Sequence, residues 1–293
     1  MALTPATRAK LKALYTALAD RVLEPTDPVY LRDLNSKADF GGDPVEELAT
    51  EIDWQEGGGV CLFTGQRGTG KSTELKRLQA TLEELGIVAF YADMSEYLLL
   101  TKEVEISDFL VTIAGALSEQ LSRRYGATPG GRSYWERFTA FLSQDVQLTE
   151  IKIGASGFDI KAALKADPDF KKLVQQKSRG YTAQIVASAH DFIAEAVAWV
   201  RERENDPDKK VVLIVDSVER IRGVGSDAMS VYESVRNLFF AHADSLRIPL
   251  LHVVFTVPPY LPILAAGTGA MLGGAATRRL VSVHVFKDRS REP

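Results

Sequence analysis

An apolar segment that runs directly into a glycine-rich loop constrains the fold of this chain more than any other feature. Residues 60–64 read Val-Cys-Leu-Phe-Thr and are followed by Gly-Gln-Arg-Gly-Thr-Gly-Lys-Ser at 65–72. A helical pattern begins at Thr73 and continues to Leu85. Strand, loop and helix in this order, with the spacing Gly-x-x-x-x-Gly-Lys-Ser, predict a Walker A phosphate-binding loop.

The residue types of this loop match the chemistry of phosphate. Glycines let the backbone turn so that amide N–H groups point at phosphate oxygens, and the helix that follows adds its partial positive charge. We expect Lys71 to reach the β- and γ-phosphates and the Ser72 hydroxyl to bind Mg²⁺. The candidate nucleotide-binding residues are Gly65, Gln66, Arg67, Gly68, Thr69, Gly70, Lys71, Ser72 and Thr73. The loop therefore predicts a nucleoside triphosphate as ligand.

Composition excludes several other classes of protein. With 45% hydrophobic and 25% charged residues, the 293-residue chain resembles an ordinary globular protein. A net charge of −4 argues against a chain-wide affinity for nucleic acid. The single cysteine, Cys61, excludes an internal disulfide, and we expect it to be a small buried strand residue. Because there is no apolar run of membrane-spanning length and no signal peptide, we expect a cytoplasmic protein.

Five short and nearly continuous apolar segments predict buried parallel strands. They span residues 60–64, 88–92, 211–215, 250–256 and 281–286. Helical patterns separate them, which is typical of right-handed crossovers between parallel strands. The sequence therefore predicts an α/β fold built on a doubly wound, mainly parallel five-stranded P-loop NTPase sheet.

The spacing of these segments predicts the domain organisation. Residues 1–43 read as an N-terminal helix and connector, and residues 44–293 as the P-loop core. Asp43 and Pro44 are a typical cap and first residue of a helix at this boundary. One gap between strands is long, and its patterns predict a mostly helical insertion at about 95–205.

The apolar segment at 211–215 ends in Asp216, which is the form of a Walker B strand. Because the carboxyl ends of parallel strands meet at one edge of the sheet, we expect Asp216 to bind Mg²⁺ together with Ser72. Glu219 is the nearest candidate to polarise the attacking water. Its alternative role is a surface carboxylate paired with Arg220 or Arg222.

Three further residues are candidates for contact with the terminal phosphate. Thr256 ends the 250–256 segment and fits a position that senses the γ-phosphate, although threonine is also common in strands. Arg278 and Arg279 precede the last predicted strand, where an arginine finger is one role and solvated surface charge the commoner one. The catalytic candidates are Lys71, Asp216, Glu219 and Thr256, and the metal ligands are Ser72 and Asp216.

Together, the loop at 65–72 and the strands ending in Asp216 and Thr256 resemble the AAA+/STAND ATPases, in particular the bacterial Orc-like and conflict-system groups. The resemblance implies ATP as nucleotide, a role in antiviral defence, and a base site near residues 30–34 and 44–48 with Tyr30 as a stacking or packing residue. The Asn-Lys-x-Asp string by which GTPases recognise guanine does not occur after the fourth predicted strand, so ATP is favoured over GTP.

Two features of the chain depart from this family. Ser217 stands where many such ATPases have a catalytic glutamate, so we expect slow hydrolysis. A helical lid domain normally follows the fifth strand, and none is visible after residue 286.

The favoured function is an Mg-dependent ATP hydrolase that acts as a nucleotide-controlled switch or assembly module, as a homo-oligomer or with a partner protein. The alternative is a nucleic-acid-associated ATPase of the loader or initiator type. It depends on the basic residues Lys161, Lys165, Lys171, Lys172, Lys177 and Arg179, for which a solvated helix face is the favoured interpretation. A small-molecule kinase is a third and less favoured interpretation, and a membrane partner is not expected.

Overall fold

The computed structural model describes residues 4–17, 21–30, 32, 42–144 and 179–282, and the isolated positions 162, 165, 172 and 175. The described residues form a five-stranded sheet in the order β2-β3-β4-β1-β5, and each pair of neighbouring strands is parallel. The strands are β1 (Gly59–Gly65), β2 (Val88–Asp93), β3 (Val211–Asp216), β4 (Leu251–Val257) and β5 (Thr277–Leu280). The predicted α/β fold with a parallel five-stranded sheet is confirmed at this level.

Helices connect the strands and cover the sheet. The longer ones are α1 (Pro5–Ala17), α2 (Pro44–Trp54), α3 (Lys71–Glu84), α4 (Ile106–Tyr125), α5 (Tyr134–Gln144), α6 (Thr182–Arg203) and α7 (Ala228–Phe240). Short ones follow as α8 (Ala243–Leu246), α9 (Leu261–Leu264) and α10 (Thr268–Met271). The start of α2 is as predicted, because Asp43 accepts hydrogen bonds from the backbone N–H groups of Val45 and Glu46.

The core has two parts, one on each face of the sheet. Successive residues of β1 alternate between them: Leu62 packs with α4, α6 and α7, whereas Cys61 and Phe63 pack with α2 and α3. All residues of β3 and β4 are buried, as expected for parallel strands covered on both faces. Among the described residues, no helix is long and apolar enough to cross a membrane.

The fifth strand of the described sheet precedes the predicted one. The sequence places it at 281–286, whereas β5 is Thr277–Leu280 and pairs with β1 from Leu62 opposite Thr277 to Gly65 opposite Leu280. Residues 281 and 282 are not part of this strand, and residues 283–286 lie outside the described residues. This strand lies at the edge of the sheet and buries only Leu280 completely, so its polar Thr-Arg-Arg sequence does not show the apolar pattern of a central strand. Arg278 and Arg279 therefore lie within β5 and do not precede it.

The described part of the predicted insertion is helical. Helices α4 and α6 pack against each other, and α4 also contacts α5 and β2. Ile113, Leu117 and Ile193 are completely or almost completely buried in this layer. A hairpin near 146–160, which the alternation of residues 146–153 predicts, lies outside the described residues.

Candidate functional site

The predicted site residues meet at the carboxyl edge of the sheet. The loop after β1 leads into α3, Asp216 ends β3, and Thr256 is the penultimate residue of β4. Strand β4 lies between β1 and β3, so the loop and Asp216 are separated by one strand. Parallel strands place these three ends side by side, which is the usual position of a ligand site in an open α/β sheet.

The backbone of the loop requires glycine at several positions. Gly68 and Gly70 have φ angles of +82° and +87°, which residues with a side chain rarely adopt. A Cβ atom on Gly65 would lie 2.8 Å from the carbonyl oxygen of Leu280. In the described structure no side chain caps α3, which begins at Lys71 directly after Gly70. The N–H groups of this helix start are therefore available to an anion.

Lys71 is turned back onto its own loop and onto Glu219. Its Nζ atom donates to the carbonyl oxygens of Gly65 and Gln66, each at 3.1 Å, and lies 3.4 Å from Glu219 Oε1. The two side chains are only 6% and 9% exposed. Glu219 is therefore not a surface carboxylate paired with Arg220 or Arg222, and its other oxygen, Oε2, is buried without a hydrogen-bond partner among the described residues.

A left-handed turn after β3 brings Glu219 to Lys71. Ser217 has a φ angle of +67° and is completely buried, an uncommon conformation for a residue with a side chain. Thr256 holds this turn, because its hydroxyl accepts from the Val218 N–H at 3.0 Å and lies 3.4 Å from the Val215 carbonyl oxygen, to which it donates. The hydroxyl of Thr256 thus contacts backbone in this structure, and its role as a phosphate sensor stays a prediction.

Asp216 is completely buried, and both of its carboxylate oxygens accept hydrogen bonds. Tyr91 on β2 donates its phenol proton to Oδ2 at 2.5 Å, and the backbone N–H of Ser217 donates to Oδ1 at 2.6 Å. Burial first, and then the charge of Asp216, raise the pKa of the Tyr91 phenol well above its usual value. The phenol of Tyr91 therefore stays protonated and is the donor in its hydrogen bond to Asp216.

Sequence reasoning missed two residues of this edge, Tyr91 and Asp93. Asp93 ends β2 directly opposite Asp216, and its Oδ1 accepts from the Ser95 N–H at 2.8 Å. The sequence did contain a signal for Asp93, because it ends an apolar strand in a carboxylate as Asp216 does. Tyr91 gives no such signal, because an aromatic residue in a strand is ordinary and only the pairing of β2 with β3 places it beside Asp216.

The segment before α2 lies on the first turn of α3. The N–H of Leu23 donates to the Thr73 hydroxyl at 3.1 Å, and the Tyr30 phenol donates to Glu74 Oε1 at 3.0 Å. Burial and the nearby Glu74 raise the pKa of Tyr30. The predicted base wall is only partly described: positions 31, 33 and 34 lie outside the described residues, and Val45 and Leu48 are core residues against α3.

Buried Arg77 joins α2 and α3 below this segment. Its guanidinium donates to both oxygens of Asp43, at 2.5 and 2.9 Å, and to Glu74 Oε2 at 2.9 Å. Burial raises the pKa of Asp43, but the hydrogen bonds and charge of Arg77 outweigh it and hold that pKa below its usual value. This cluster stabilises the start of both helices and lies next to the phosphate loop.

The other basic candidates make no described contact with Asp216, Glu219 or Thr256. Arg278 forms ion pairs with Glu47 and Glu51 of α2, at 3.2 and 3.1 Å, so its observed role is to hold β5 to α2. Arg279 and Arg67 are exposed. Of the six basic residues at 161–179, the structure describes only Lys165, Lys172 and Arg179, so their role stays a prediction.

The donor groups at this edge fit a hard cation such as Mg²⁺. They are oxygens: the carboxylate of Asp216, which Tyr91 holds, and the hydroxyl of Ser72 in the first turn of α3. The unpartnered Oε2 of Glu219 adds a buried acceptor that suits a bound water. In the part of the chain that is described, no group of three or more His, Cys, Asp or Glu side chains is arranged so that it could hold a metal ion.

A scan of known protein families found no model that matches the chain, and a search of curated proteins found no matching sequence. The resemblance to the AAA+/STAND ATPases therefore depends on the sequence motifs. A parallel sheet with helices on both faces agrees with that resemblance, but many unrelated functions use such a sheet.

Proposed function

We propose that this chain binds ATP with Mg²⁺ and hydrolyses it slowly, as a nucleotide-controlled switch or assembly module. The observation that carries the proposal is the buried contact between Lys71 and Glu219 beside the glycine loop. A cation that can hold phosphates and a carboxylate that can accept a proton meet there, at the start of an uncapped helix. P-loop NTPases use such groups to hydrolyse the phosphoanhydride bond of a bound nucleotide.

Binding would exchange the present partners of Lys71 for phosphate oxygens. An ammonium group has three donors, and here they face two loop carbonyl oxygens and one carboxylate. Phosphates would bring stronger, charged acceptors, together with the N–H groups of the loop and of the start of α3. Ser72 and Asp216 would hold Mg²⁺, which when bound neutralises charge on the phosphates.

Hydrolysis would proceed by in-line attack of water on the γ-phosphate. The water oxygen forms a bond to phosphorus, the bond to the β-phosphate oxygen breaks, and Glu219 accepts the proton of the water. Lys71 stabilises the charge on the phosphate oxygens. Glu219 reaches this position through a turn and not directly from the end of β3, which supports a slow rate.

The turn that carries Glu219 is connected to the helical layer. The backbone N–H of Arg222 donates to the carbonyl oxygen of Leu100 at 2.8 Å, and Leu100 lies in the segment between β2 and α4. A movement of Glu219 on nucleotide binding would therefore be transmitted to the insertion. The insertion would then expose a different surface to a second copy of the chain or to a partner protein. Antiviral defence, as implied by the family resemblance, is part of this proposal as its biological setting.

The test combines turnover with size measurement. Light scattering after size-exclusion chromatography would compare nucleotide-free, ADP-loaded and ATP-loaded protein in Mg²⁺, alongside an assay of phosphate release. We expect the protein to hydrolyse ATP, and to form a larger species when it is loaded with ATP but not when it is nucleotide-free or loaded with ADP. Lys71→Ala should abolish both and weaken nucleotide binding by about ten- to a hundredfold, as expected for the loss of a charged hydrogen-bond donor.

A matched control is Lys209→Ala, which removes a lysine just before β3, at the edge of the sheet opposite to the loop, and should change neither turnover nor size. No nucleotide binding by the native protein would overturn the proposal. Turnover with an unchanged size in every state would retain the ATPase and contradict self-assembly, leaving a partner protein as the reader of the nucleotide state.

A further inference from the structure

Tyr91 occupies a specific place between the two predicted metal ligands. It lies on β2 and packs with Ile214 on the face of the sheet that α3 covers. Asp216 is two residues after Ile214 on β3 and faces the same side, since side chains alternate along a strand. The first turn of α3 carries Ser72. The topology thus brings a phenol, a carboxylate and a serine hydroxyl together from three separate elements.

The phenol is the side-chain donor that balances buried Asp216. A completely buried carboxylate is costly unless hydrogen bonds compensate it, and here one comes from Tyr91 and one from the backbone of Ser217. Ser72 is a minor influence that lowers the pKa of the same phenol, against the larger effects that raise it. The ring itself is held separately, because the ammonium of Lys76 lies 4.0 Å from its centroid. The hydroxyl of Tyr91 therefore has a task distinct from that of its ring.

We propose that Tyr91 is a positioning residue that fixes the Asp216 carboxylate in the geometry that receives the metal of an Mg²⁺–nucleotide complex. This inference depends on the proposed function. A carboxylate has room for more than two hydrogen bonds, so the phenol orients Asp216 without occupying every acceptor site. Ser72 and Asp216 would hold the metal, and the phenol would continue to hold Asp216.

The experiment measures how much Mg²⁺ improves ADP binding, and it requires no turnover. Isothermal titration calorimetry gives the dissociation constant of ADP in Mg²⁺ and in EDTA, and their ratio is the gain due to the metal. Tyr91→Phe keeps the ring below Lys76 and removes one oxygen atom. We expect the ratio of the two dissociation constants to be about tenfold smaller in this variant than in the native protein, and the dissociation constant of ADP in EDTA to be unchanged.

Two further variants separate positioning from a general effect on the fold. Tyr97→Phe also removes a phenol that donates to a carboxylate, Glu119, at 2.9 Å, and it should retain the native ratio. Asp216→Asn removes the charge through which Tyr91 is proposed to act. In that background Tyr91→Phe should have little additional effect, because residues that act as a unit are not additive. Circular dichroism and thermal unfolding check that each variant is folded.

The outcomes distinguish this inference from the proposed function. If the native protein binds no ADP, the proposed function and the inference both fail. If it binds ADP equally in Mg²⁺ and EDTA, nucleotide binding stands and the inference is overturned. A native ratio in Tyr91→Phe, or a full additional loss in the Asp216→Asn background, would also overturn it while leaving the ATPase proposal intact.

Discussion

Lys71 Nζ lies 3.4 Å from Glu219 Oε1, and both side chains are more than nine-tenths buried. In this arrangement Glu219 offers negative charge to the same ammonium that is proposed to hold phosphate. The contact neutralises a buried cation when no nucleotide is bound, and it places a proton acceptor beside the loop. Substitution of Glu219 should therefore affect the stability of the protein as well as its turnover.

Substitution of Glu219 should separate nucleotide binding from hydrolysis. Glu219→Gln keeps the shape of the side chain and an oxygen that can accept from Lys71, but it cannot take a proton from water. We expect ATP turnover to fall by about 10²–10⁴-fold while ADP still binds, as measured by phosphate release and calorimetry. Glu83→Gln, which alters a surface ion pair with Arg124, is the matched control. Native turnover in Glu219→Gln would remove this residue from the mechanism.

The left-handed conformation of Ser217 predicts a sharp difference between two substitutions. A β-branched residue at φ +67° is sterically disfavoured, and the site is completely buried. Ser217→Val should therefore lower the free energy of unfolding by about 2 kcal/mol, whereas Ser217→Gly, which adopts this φ freely, should have a much smaller effect. Urea unfolding of both variants measures the difference. Equal losses would mean that the turn does not hold residue 217 in this conformation.

Arg77 should be among the most sensitive positions for stability. Its side chain is 4% exposed and contacts three carboxylates, those of Asp43, Glu46 and Glu74, so its removal leaves the two more buried ones, Asp43 and Glu74, without their cation. We expect Arg77→Ala to lower the free energy of unfolding by about 3–5 kcal/mol in chemical denaturation. Arg124→Ala breaks a half-exposed pair with Glu83 and should cost no more than about 1 kcal/mol. Similar losses in the two variants would contradict a special role for the buried cluster.

Local patterns predicted the loop and strand ends that form the candidate site, whereas contacts that depend on strand pairing were not predictable. The glycine loop, Asp216 and the cap of α2 are encoded by neighbouring residues, and four strands were found within one or two residues of their ends. Strand β5 was not predicted at Thr277–Leu280 because an edge strand does not need an apolar pattern. Tyr91 was missed because its role arises only when β2 pairs with β3. The contact of Glu219 with Lys71 likewise requires the turn at Ser217, which no periodicity predicts.

His252 on β4 should make stability depend on pH in the mildly acidic range. The side chain is 2% exposed, and burial, followed by the charge of Lys210, lowers its pKa from 6.5 to about 4. The unfolded chain thus binds a proton between these values that the folded chain does not, so stability falls as pH decreases from about 6.5 to 4. Over this whole pH range, the free energy of unfolding should fall by about 3 kcal/mol because of His252.

Replacement of His252 by leucine should remove this part of the pH dependence. We expect the free energy of unfolding of His252→Leu, measured by urea denaturation, to change less between pH 7 and pH 4 than that of the native protein. His242→Leu provides the control, because His242 is exposed and should leave the slope unchanged. An unaltered slope in His252→Leu would mean that this imidazole gains its proton in the folded protein as readily as in the unfolded chain. Water would then reach the Nδ1 atom, which has no hydrogen-bond partner among the described residues.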